Sequence, residues 1–450
     1  MDNKLKNILH VTHSWGGGIP VYISDLQYIL SEQYNLFTLK SSLGKVVIGY
    51  PECDEEAMCY SLSSRIGLLE ISNDSYKNVI KLILQAYDID LVHVNITLSH
   101  SFDIFHAARE LNIPVVYTVH DYFYICPTFH LVDKNGKFCH LCEYGQEDEE
   151  CLRGHPYINY TKFNKASLYK WRSEFLKVKD IICQYVFPSN SCRELFSSFY
   201  DIKPKLCRVI AHGISLRHEE GEVAASNKEL RVGILGTMLK HKGELLYKHI
   251  LKNSDSKRFK FYHFGDGTLV NDKLINIGSY NRSSIYELLR GNNIDVVLLL
   301  STWPETFSYT LSETFIAGIP PIVTNLGALA ERVEKNGAGW IVDFESPEEI
   351  CSLLEQLESD RALIDEKREI LCSTPLDSLE KMKAEYGNLY IDMIANCTAK
   401  GFDDRAKSSA LCDLDSVRTV CDKDIIENSG LSALELFERS INGKVTNTHG

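Results

Sequence analysis

Two glutamates, Glu305 and Glu313, stand in the part of this chain whose pattern best suits chemistry on a phosphorylated, hydroxyl-rich ligand. The apolar stretch 294–300 before them predicts a buried strand, and a helix is predicted to begin near Thr310. Ligands of parallel sheets bind where the strands end. At such a place a helix N-terminus binds phosphate, and ionised carboxylates accept hydrogen bonds from hydroxyl groups.

Each glutamate also has a purely structural interpretation. Thr310 and Glu313 have the spacing of a capping box, and Glu305 alone would pass for a solvated loop carboxylate. The surrounding pattern favours the ligand site, because a second apolar strand, 321–324, follows a stop at Gly318. The segment is therefore predicted to be a strand–helix–strand unit of a parallel sheet.

The motif P-E-T-F-S-Y-T-L-S-E-T-F-I-A-G-I-P, which contains both glutamates, resembles the E-x7-E signature of retaining glycosyltransferases of GT-B fold, family 4. The resemblance implies that Glu305 holds the donor sugar and that Glu313 holds the ribose of the nucleotide. It also implies that Thr306 and the backbone of Phe307 and Ser308 contact the donor, with the backbone amides on the diphosphate. In this interpretation Glu305 also counts among the catalytic residues.

A glycine loop follows the first predicted strand, 7–12, and precedes a predicted helix, 19–30. A strand, a glycine loop and a helix let the backbone approach phosphate closely. The spacing is not G-x-G-x-x-G, which argues against a nicotinamide-binding enzyme. The family resemblance assigns Gly16 and Gly17 to the donor, whereas the alternative is a plain tight turn.

His120 ends another predicted strand, which begins at Ile113. Members of the family have a histidine at this strand end, near the reacting sugar carbon, and His120 is the matching residue. A histidine there can hydrogen-bond a sugar hydroxyl in either protonation state. The alternative interpretation is a histidine that is satisfied within the core.

Lys242 lies in the exit loop of a strand predicted over 230–236 and matches the family lysine that pairs with the donor diphosphate. A compact ammonium suits phosphate as a point charge, although Lys242 would also pass for a surface lysine. The family often has an arginine where this chain has Thr237, so the phosphate contact is expected to be weaker, with Lys240 as one substitute. Tyr280 is predicted to meet the nucleobase or merely to pack.

Four cysteines form the only cysteine cluster of note, with spacing C-x12-C-x2-C-x8-C: Cys126, Cys139, Cys142 and Cys151. Four thiolates would complete a structural zinc site. Free thiols or a disulfide are the alternatives. A catalytic metal is not expected, because four thiolates leave no open position. Catalysis is predicted to need no cofactor.

Bulk properties limit the partners and the location. The 450 residues carry a net charge of −13, which argues against nucleic acid as a partner. No apolar run is long enough to span a bilayer, and the first residues do not resemble a signal peptide. The protein is predicted to be cytoplasmic. A basic, aromatic stretch, 161–180, suggests peripheral contact with the inner membrane face, or else is the solvated face of a helix.

The predicted fold class is α/β, with two Rossmann-like doubly wound domains facing across a cleft, as in GT-B proteins. The predicted divisions are an acceptor-side domain over 1–206 with a cysteine-bearing insertion at about 123–155, a nucleotide-sugar domain over 207–377, a helix crossing back over 378–397, and a polar tail over 398–450 with a short helix near 431–437.

The predicted function is transfer of a hexose from a nucleotide-sugar to a glycan or lipid-linked acceptor, with retention of configuration. The family resemblance suggests a role in bacterial surface polysaccharide or glycoconjugate synthesis. Two alternatives are an epimerase of nucleotide-sugars on the same fold and a relative that binds nucleotide-sugar without catalysis. Thr237 keeps the second alternative open.

Overall fold

The computed structural model describes residues 4–42, 44–50, 53–133, 138–139, 141–142, 165–214, 228–267, 269, 271–397 and 402–419. The strands in chain order are β1 (Lys6–Val11), β2 (Tyr34–Ser42), β3 (Lys45–Tyr50), β4 (Cys53–Ser61), β5 (Leu91–Val94), β6 (Val115–Thr118), β7 (Ile182–Phe187), β8 (Cys207–Val209), β9 (Leu230–Leu235), β10 (Phe259–Phe264), β11 (Leu274–Gly278), β12 (Val296–Leu299), β13 (Pro321–Thr324), β14 (Trp340–Val342) and β15 (Arg418–Thr419).

The α-helices, in chain order within the same residues, are α1 (Gly18–Leu30), α2 (Asp74–Ala86), α3 (Asp103–Glu110), α4 (Lys165–Val178), α5 (Asn190–Tyr200), α6 (Glu244–Asn253), α7 (Ile285–Gly291), α8 (Tyr309–Ile316), α9 (Gly327–Asn336), α10 (Pro347–Ser359), α11 (Ala362–Ser373), α12 (Leu379–Ala395) and α13 (Asp404–Ser416).

Two sheets organise these elements. The first has the order β15-β4-β3-β2-β1-β5-β6-β7-β8, and the second has the order β11-β10-β9-β12-β13-β14. In the first sheet, the neighbouring strands β2, β1, β5, β6, β7 and β8 pair in parallel. The pairs β2-β3, β3-β4 and β4-β15 are antiparallel. All pairings of the second sheet are parallel.

The strand β12 shows why the second sheet is covered on both faces. Successive side chains of a strand point to opposite faces. Val296 and Leu298 accordingly join one buried apolar cluster, and Val297 and Leu299 join another. An uninterrupted apolar run of this kind is typical of a parallel strand between two helical layers. The predicted doubly wound α/β architecture is therefore confirmed.

Helix α12 packs on the first sheet, although it follows the second in the chain. Its Tyr386 accepts a hydrogen bond from the Tyr22 hydroxyl at 2.6 Å, and the Tyr390 hydroxyl lies 2.7 Å from Nδ1 of His93. All four side chains are completely buried. Because a buried hydroxyl without a partner is costly, this paired network holds the helix to the first domain.

Two features at the domain margins differ from the sequence-based expectations. Strand β8 pairs with β7, so the first sheet extends beyond the boundary predicted at 206. Within the tail predicted to be polar, α13 buries Ala410 and Leu414 and packs against α2. The short helix predicted near 431–437 lies outside the described residues.

Helix α4 carries the basic stretch for which membrane contact was one interpretation. Its Trp171 and Phe175 are completely buried, while Tyr169 is exposed. Arg172 is also buried and donates to the backbone oxygen of Ile125 at 2.8 Å. Most of the aromatic side chains that were expected to interleave with the lysines therefore belong to the core. Across the part of the chain that the structure describes, no helix is long and apolar enough to cross a membrane.

Candidate functional site

The strand ends of the two sheets meet at a cleft, and Thr306 joins the domains at its floor. The Thr306 hydroxyl donates to the backbone oxygen of His120 at 2.6 Å, and the Thr306 backbone oxygen accepts from the Ser189 hydroxyl at 2.8 Å. Ser189 is also the N-cap of α5, where its Oγ accepts from Cys192 N at 3.2 Å. One residue of the second domain is thus held by two segments of the first.

A carboxylate makes a second link between the domains. Glu331, on α9, accepts from the backbone N–H groups of Asn190 at 3.0 Å and Ser191 at 2.6 Å. These are the first backbone donors of α5, which have no partner inside the helix. On another side of the cleft, the rings of His130 and His241 stack with centroids 4.0 Å apart.

Glu305 is buried in the loop after β12 and is surrounded by donors. Its Oε1 accepts from Lys242 Nζ at 2.8 Å and from the Ser301 hydroxyl. Burial raises the pKa of Glu305, but Lys242 and the hydroxyls of Ser301 and Ser308 outweigh burial and bring that pKa below its ordinary value. Glu305 is therefore an ionised acceptor, and the solvated-loop interpretation is wrong.

Lys242 and Thr237 line one small pocket with Glu305, below the ends of β9 and β12. Lys242 is about one-third exposed, and its ammonium lies 5.8 Å from the ring centre of Trp303. The next residue, Gly243, has φ +91, and a Cβ there would lie 2.1 Å from the backbone oxygen of Leu300. Only glycine allows this close approach, which brings the lysine to the strand end.

The backbone at the start of α8 has a strained conformation at Ser308. Ser308 is its N-cap, with φ 75 and ψ 98, and its Oγ accepts from Leu311 N at 3.4 Å. Arg332 donates to the backbone oxygens of Phe307 at 3.1 Å and Ser308 at 2.9 Å. Burial lowers the pKa of Arg332 to about 10. A non-glycine residue at positive φ persists only where its surroundings hold it, and Arg332 makes those contacts.

Glu313 lies one helical turn further along α8 and is not part of a capping box. Its Oε2 accepts from the Tyr280 hydroxyl at 2.8 Å, and Oε1 lies 3.9 Å from Nε of Arg282. Burial raises the pKa of Glu313 to about 7, while Tyr280 and Arg282 lower it by smaller amounts. The capping interpretation is wrong because Ser308 fills the N-cap position. The Tyr280 side chain is engaged with a carboxylate rather than simply packed.

Arg282 reaches across the cleft. Its Nη1 lies 3.1 Å from Oδ2 of Asp25 on α1, and its guanidinium lies 4.7 Å from the ring centre of Tyr309. A Cβ at Gly18, the first residue of α1, would lie 3.5 Å from the same ring. The N-termini of α1 and α8, which belong to opposite domains, therefore meet beside Arg282.

The glycine loop before α1 has the geometry expected of a close backbone approach. Gly17 is the N-cap of α1, with φ 108 and no capping side chain. A Cβ at Gly16 or Gly17 would meet nothing within 4 Å. The loop therefore has open space on its outer side, where a ligand could lie against the backbone.

His120 contributes a neutral imidazole from the first domain. Its Nε2 lies 3.1 Å from Oδ1 of Asn95, and burial, aided by nearby His212, His13 and His10, takes its pKa well below the ordinary value. An amide oxygen can only accept, so Nε2 of His120 donates and its lone pair lies on Nδ1. His120 can therefore accept a hydrogen bond from a hydroxyl group.

His212 is a cleft residue that the sequence analysis did not select. Its ring lies 5.4 Å from that of His120 and stacks on Tyr309 at 5.5 Å. It is buried, and burial together with Arg332 and Arg282 lowers its pKa to about 3. The signal that would have found it was present, because His212 stands where the resembling family has asparagine. Nothing in the sequence singled out Arg282 or Arg332.

Three of the four clustered cysteines, Cys126, Cys139 and Cys142, lie within the described residues and are free thiols. No group of three His, Cys, Asp or Glu side chains in those residues is placed to hold a metal ion. Burial raises the pKa of Cys139 to about 11 and also raises that of Cys126, while Arg172 Nη2 lies 3.4 Å from Cys142 Sγ. Cys151 lies outside the described residues. The structural zinc site stays a prediction.

The contacts shown join predicted residues in pairs: Lys242 with Glu305, Tyr280 with Glu313, and His120 with Thr306. Thr237 lines one pocket with Lys242 and Glu305. Two family models match the chain. One, described as "Glycosyltransferase Family 4", matches residues 72–218, and the other, "Glycosyl transferases group 1", matches residues 225–371. The two matched segments, one from each domain, are therefore similar to glycosyltransferase domains.

Similar proteins agree with these matches. The "Uncharacterized 41.2 kDa protein in cps region" of Klebsiella pneumoniae is 20% identical over 362 residues, which cover 78% of this chain and 89% of that protein. The crystal structure of a glycosyltransferase from Rickettsia africae has a TM-score of 0.59 at 16% identity and covers 87% of this chain and 99% of its own. HepE of Anabaena, solved with UDP and glucose, has a TM-score of 0.55 at 13% identity and covers 85% of this chain and 98% of its own. At these identities the structures establish the GT-B fold.

Proposed function

We propose that this glycosyltransferase moves a sugar from a nucleotide-sugar donor to a glycan or lipid-linked acceptor with retention of configuration. The observation that carries the proposal is the pairing of Glu305 with Lys242 at the N-terminus of α8, opposite His120 of the other domain. An ionised acceptor, a cation and a neutral histidine at one cleft suit a ligand that has both hydroxyl groups and phosphate.

The donor's diphosphate would lie against the N-terminus of α8, with Lys242 and the backbone of Gly17, Phe307 and Ser308 nearby. Positive charge at this place stabilises the leaving diphosphate, and such electrostatic stabilisation is usually the largest contribution to catalysis. Arg332 would position this loop without contacting the donor, because it donates hydrogen bonds to the backbone oxygens of Phe307 and Ser308.

The sugar and the ribose would be held by the two glutamates. Glu305 accepts hydrogen bonds from sugar hydroxyls, and Lys242 keeps it ionised. Glu313 accepts hydrogen bonds from the ribose hydroxyls, either in place of the hydrogen bond from Tyr280 or in addition to it. His120 would accept a further hydroxyl at Nδ1, near the reacting carbon. In the resembling family the glutamates hold the same two parts of the donor.

In the transfer step the acceptor hydroxyl oxygen forms a bond to the anomeric carbon as the bond from that carbon to the diphosphate oxygen breaks. The hydroxyl proton passes to the departing diphosphate oxygen, so no separate base is needed. Glu305 is engaged by Lys242 and Ser301, which suits sugar binding better than nucleophilic attack. Attack on the face that the diphosphate leaves gives retention.

The class of acceptor is proposed from the description of a similar protein and from the resembling family. The protein from Klebsiella pneumoniae is described by its position in a cps region, and the resembling family includes enzymes that act on lipid-linked acceptors. The proposal is therefore a role in synthesis of a bacterial surface polysaccharide or glycoconjugate.

The test combines a panel of nucleotide-sugars with a paired variant. Binding is measured by thermal shift, turnover by release of nucleoside diphosphate with and without lipid-linked glycans, and the anomeric configuration of the product by NMR coupling. We expect Glu305→Gln to lose at least about a hundredfold in turnover, as removal of one strong charge-assisted contact in the transition state does. The exposed Glu355→Gln is the matched control.

The outcomes separate the candidates. Transfer to an added acceptor with a retained anomeric centre supports the proposal. A changed sugar without added acceptor would identify an epimerase, and a thermal shift without any turnover would identify a binding protein. Full activity of Glu305→Gln would remove this residue from the mechanism, and an inverted product would overturn retention.

A further inference from the structure

We propose that Arg282 is the second cation of the donor site and binds the nucleoside diphosphate together with Lys242. The inference rests on the proposed function, because it assigns a contact of the same donor. It starts from a side chain to which neither the sequence motifs nor the matched domains assign a role.

Arg282 has the position that this contact requires. Its guanidinium lies 4.7 Å from the ring centre of Tyr309, the first residue of α8, and Nε lies 3.9 Å from Glu313. Glu313 is the proposed ribose ligand and the start of α8 is the proposed phosphate site, so Arg282 stands beside the segment of the donor that joins ribose to diphosphate. Its side chain is about one-third exposed.

One buried polar group near Arg282 lacks a partner. The Tyr309 hydroxyl is buried and has no hydrogen-bond partner among the described residues. Buried polar groups are nearly always paired in native proteins. A donor oxygen beside the start of α8 would give this hydroxyl a partner. The adjacent N-terminus of α1 has Gly17 as its N-cap and no capping side chain.

The charges of the cleft point to the same residue. The diphosphate of a nucleotide-sugar carries about two negative charges, and Lys242 is already paired with Glu305. Arg332 is engaged by backbone oxygens and Ser312. Lys240, the substitute considered from the sequence, is exposed. A guanidinium presents a planar pair of donors that matches phosphate.

When the nucleotide-sugar binds, Arg282 would exchange its ion pair with Asp25 for a contact with the diphosphate. The contact at 3.1 Å joins α1 of the first domain to the loop before α7 of the second. In this exchange Arg282 keeps an anionic partner, and the Asp25 carboxylate, about one-fifth exposed, becomes accessible to solvent. The ammonium of Lys242 and the guanidinium of Arg282, which both belong to the second domain, would then both contact the diphosphate.

The test measures nucleoside diphosphate affinity by calorimetry with UDP, GDP and ADP, and then uses the one that the unmodified protein binds best. We expect Arg282→Gln to weaken this binding by roughly tenfold to a hundredfold, the range for a hydrogen bond to a charged group. Arg282→Lys should recover part of the loss. Arg405→Gln, an exposed arginine of α13 outside the cleft, is the matched control and should change the affinity by less than about twofold.

Binding of the corresponding nucleoside is measured by NMR line broadening at millimolar concentration. This binding shows both that the variant is folded and that the ribose contact is intact. We expect Arg282→Gln to weaken nucleoside binding far less than nucleoside diphosphate binding, because Arg282 has only a minor effect on the pKa of Glu313. Equal losses for nucleoside and nucleoside diphosphate would mean that Arg282 only supports Glu313, and unchanged diphosphate affinity would likewise overturn the proposal. If the unmodified protein binds no nucleoside diphosphate, the proposed function itself fails, together with this inference.

Discussion

The protonation of Glu313 should make donor binding depend on pH. Burial raises the pKa of this carboxyl to about 7 in the protein without donor. Ribose hydroxyls are better donors to a carboxylate than to a carboxylic acid, so the bound donor favours the ionised form. Binding should therefore lower the pKa of Glu313 and release a proton, and affinity should rise as pH rises towards and past 7.

The size of the effect follows from the shift. If the donor returns Glu313 to its ordinary pKa of about 4.5, the affinity should rise about tenfold between about pH 6 and pH 8 and become constant above that. His212, His13 and His120 do not titrate there, because burial lowers the pKa of His212 to about 3 and of His13 to about 4, and takes that of His120 well below its ordinary value.

The assay is calorimetry with an intact nucleotide-sugar, whose diphosphate has no terminal phosphate group to titrate, in buffers of different ionisation enthalpy that reveal proton release. Glu313→Gln should bind more weakly and show no pH dependence over this range. Asp121 needs its own control, Asp121→Asn, because burial also raises its pKa to about 7. Affinity that falls with rising pH, or a slope that survives in Glu313→Gln, would refute the reasoning.

Three further outcomes are expected. Gly243→Ala should lower the free energy of unfolding by roughly 2 kcal/mol or more, because the new Cβ would collide with the Leu300 backbone oxygen and the residue has a positive φ. A denaturant titration measures this change. The control Gly291→Ala, whose Cβ would lie in open space, should not destabilise the protein. Glu331→Ala should lower the free energy of unfolding by about 1 kcal/mol, because the N–H groups of Asn190 and Ser191 lose their acceptor while Ser189 remains the N-cap, and an unchanged melting temperature would contradict this. Dialysis against EDTA should leave the initial rate of transfer unchanged if Lys242 and the helix amides meet the diphosphate charge, and recovery of a lost rate by added magnesium would show otherwise.

The elements around the cleft were predictable because they are local in sequence. A continuous apolar run followed by polar exit residues identifies β12, and the same pattern before His120 identifies β6. The prediction for β13 matches the structure at both ends. In each case side-chain chemistry and periodicity agree, so tertiary contacts have little to override.

What could not be predicted depends on contacts between distant segments. Arg282 and Asp25 are far apart in the chain, and only the closed cleft brings them together. Helix α13 has little apolar surface of its own and is held by a few buried residues such as Leu414. The raised pKa of Glu313 likewise comes from burial by the folded protein, which its sequence motif does not encode.

Thr306 has a mechanical consequence for turnover. It follows Glu305 directly, yet its hydroxyl and its carbonyl are both bound to the first domain, at His120 and Ser189. A rotation that parts the two domains must therefore break these bonds or pull on the peptide next to Glu305. For the proposed transfer, release of the nucleotide by domain opening would therefore be coupled to the position of Glu305.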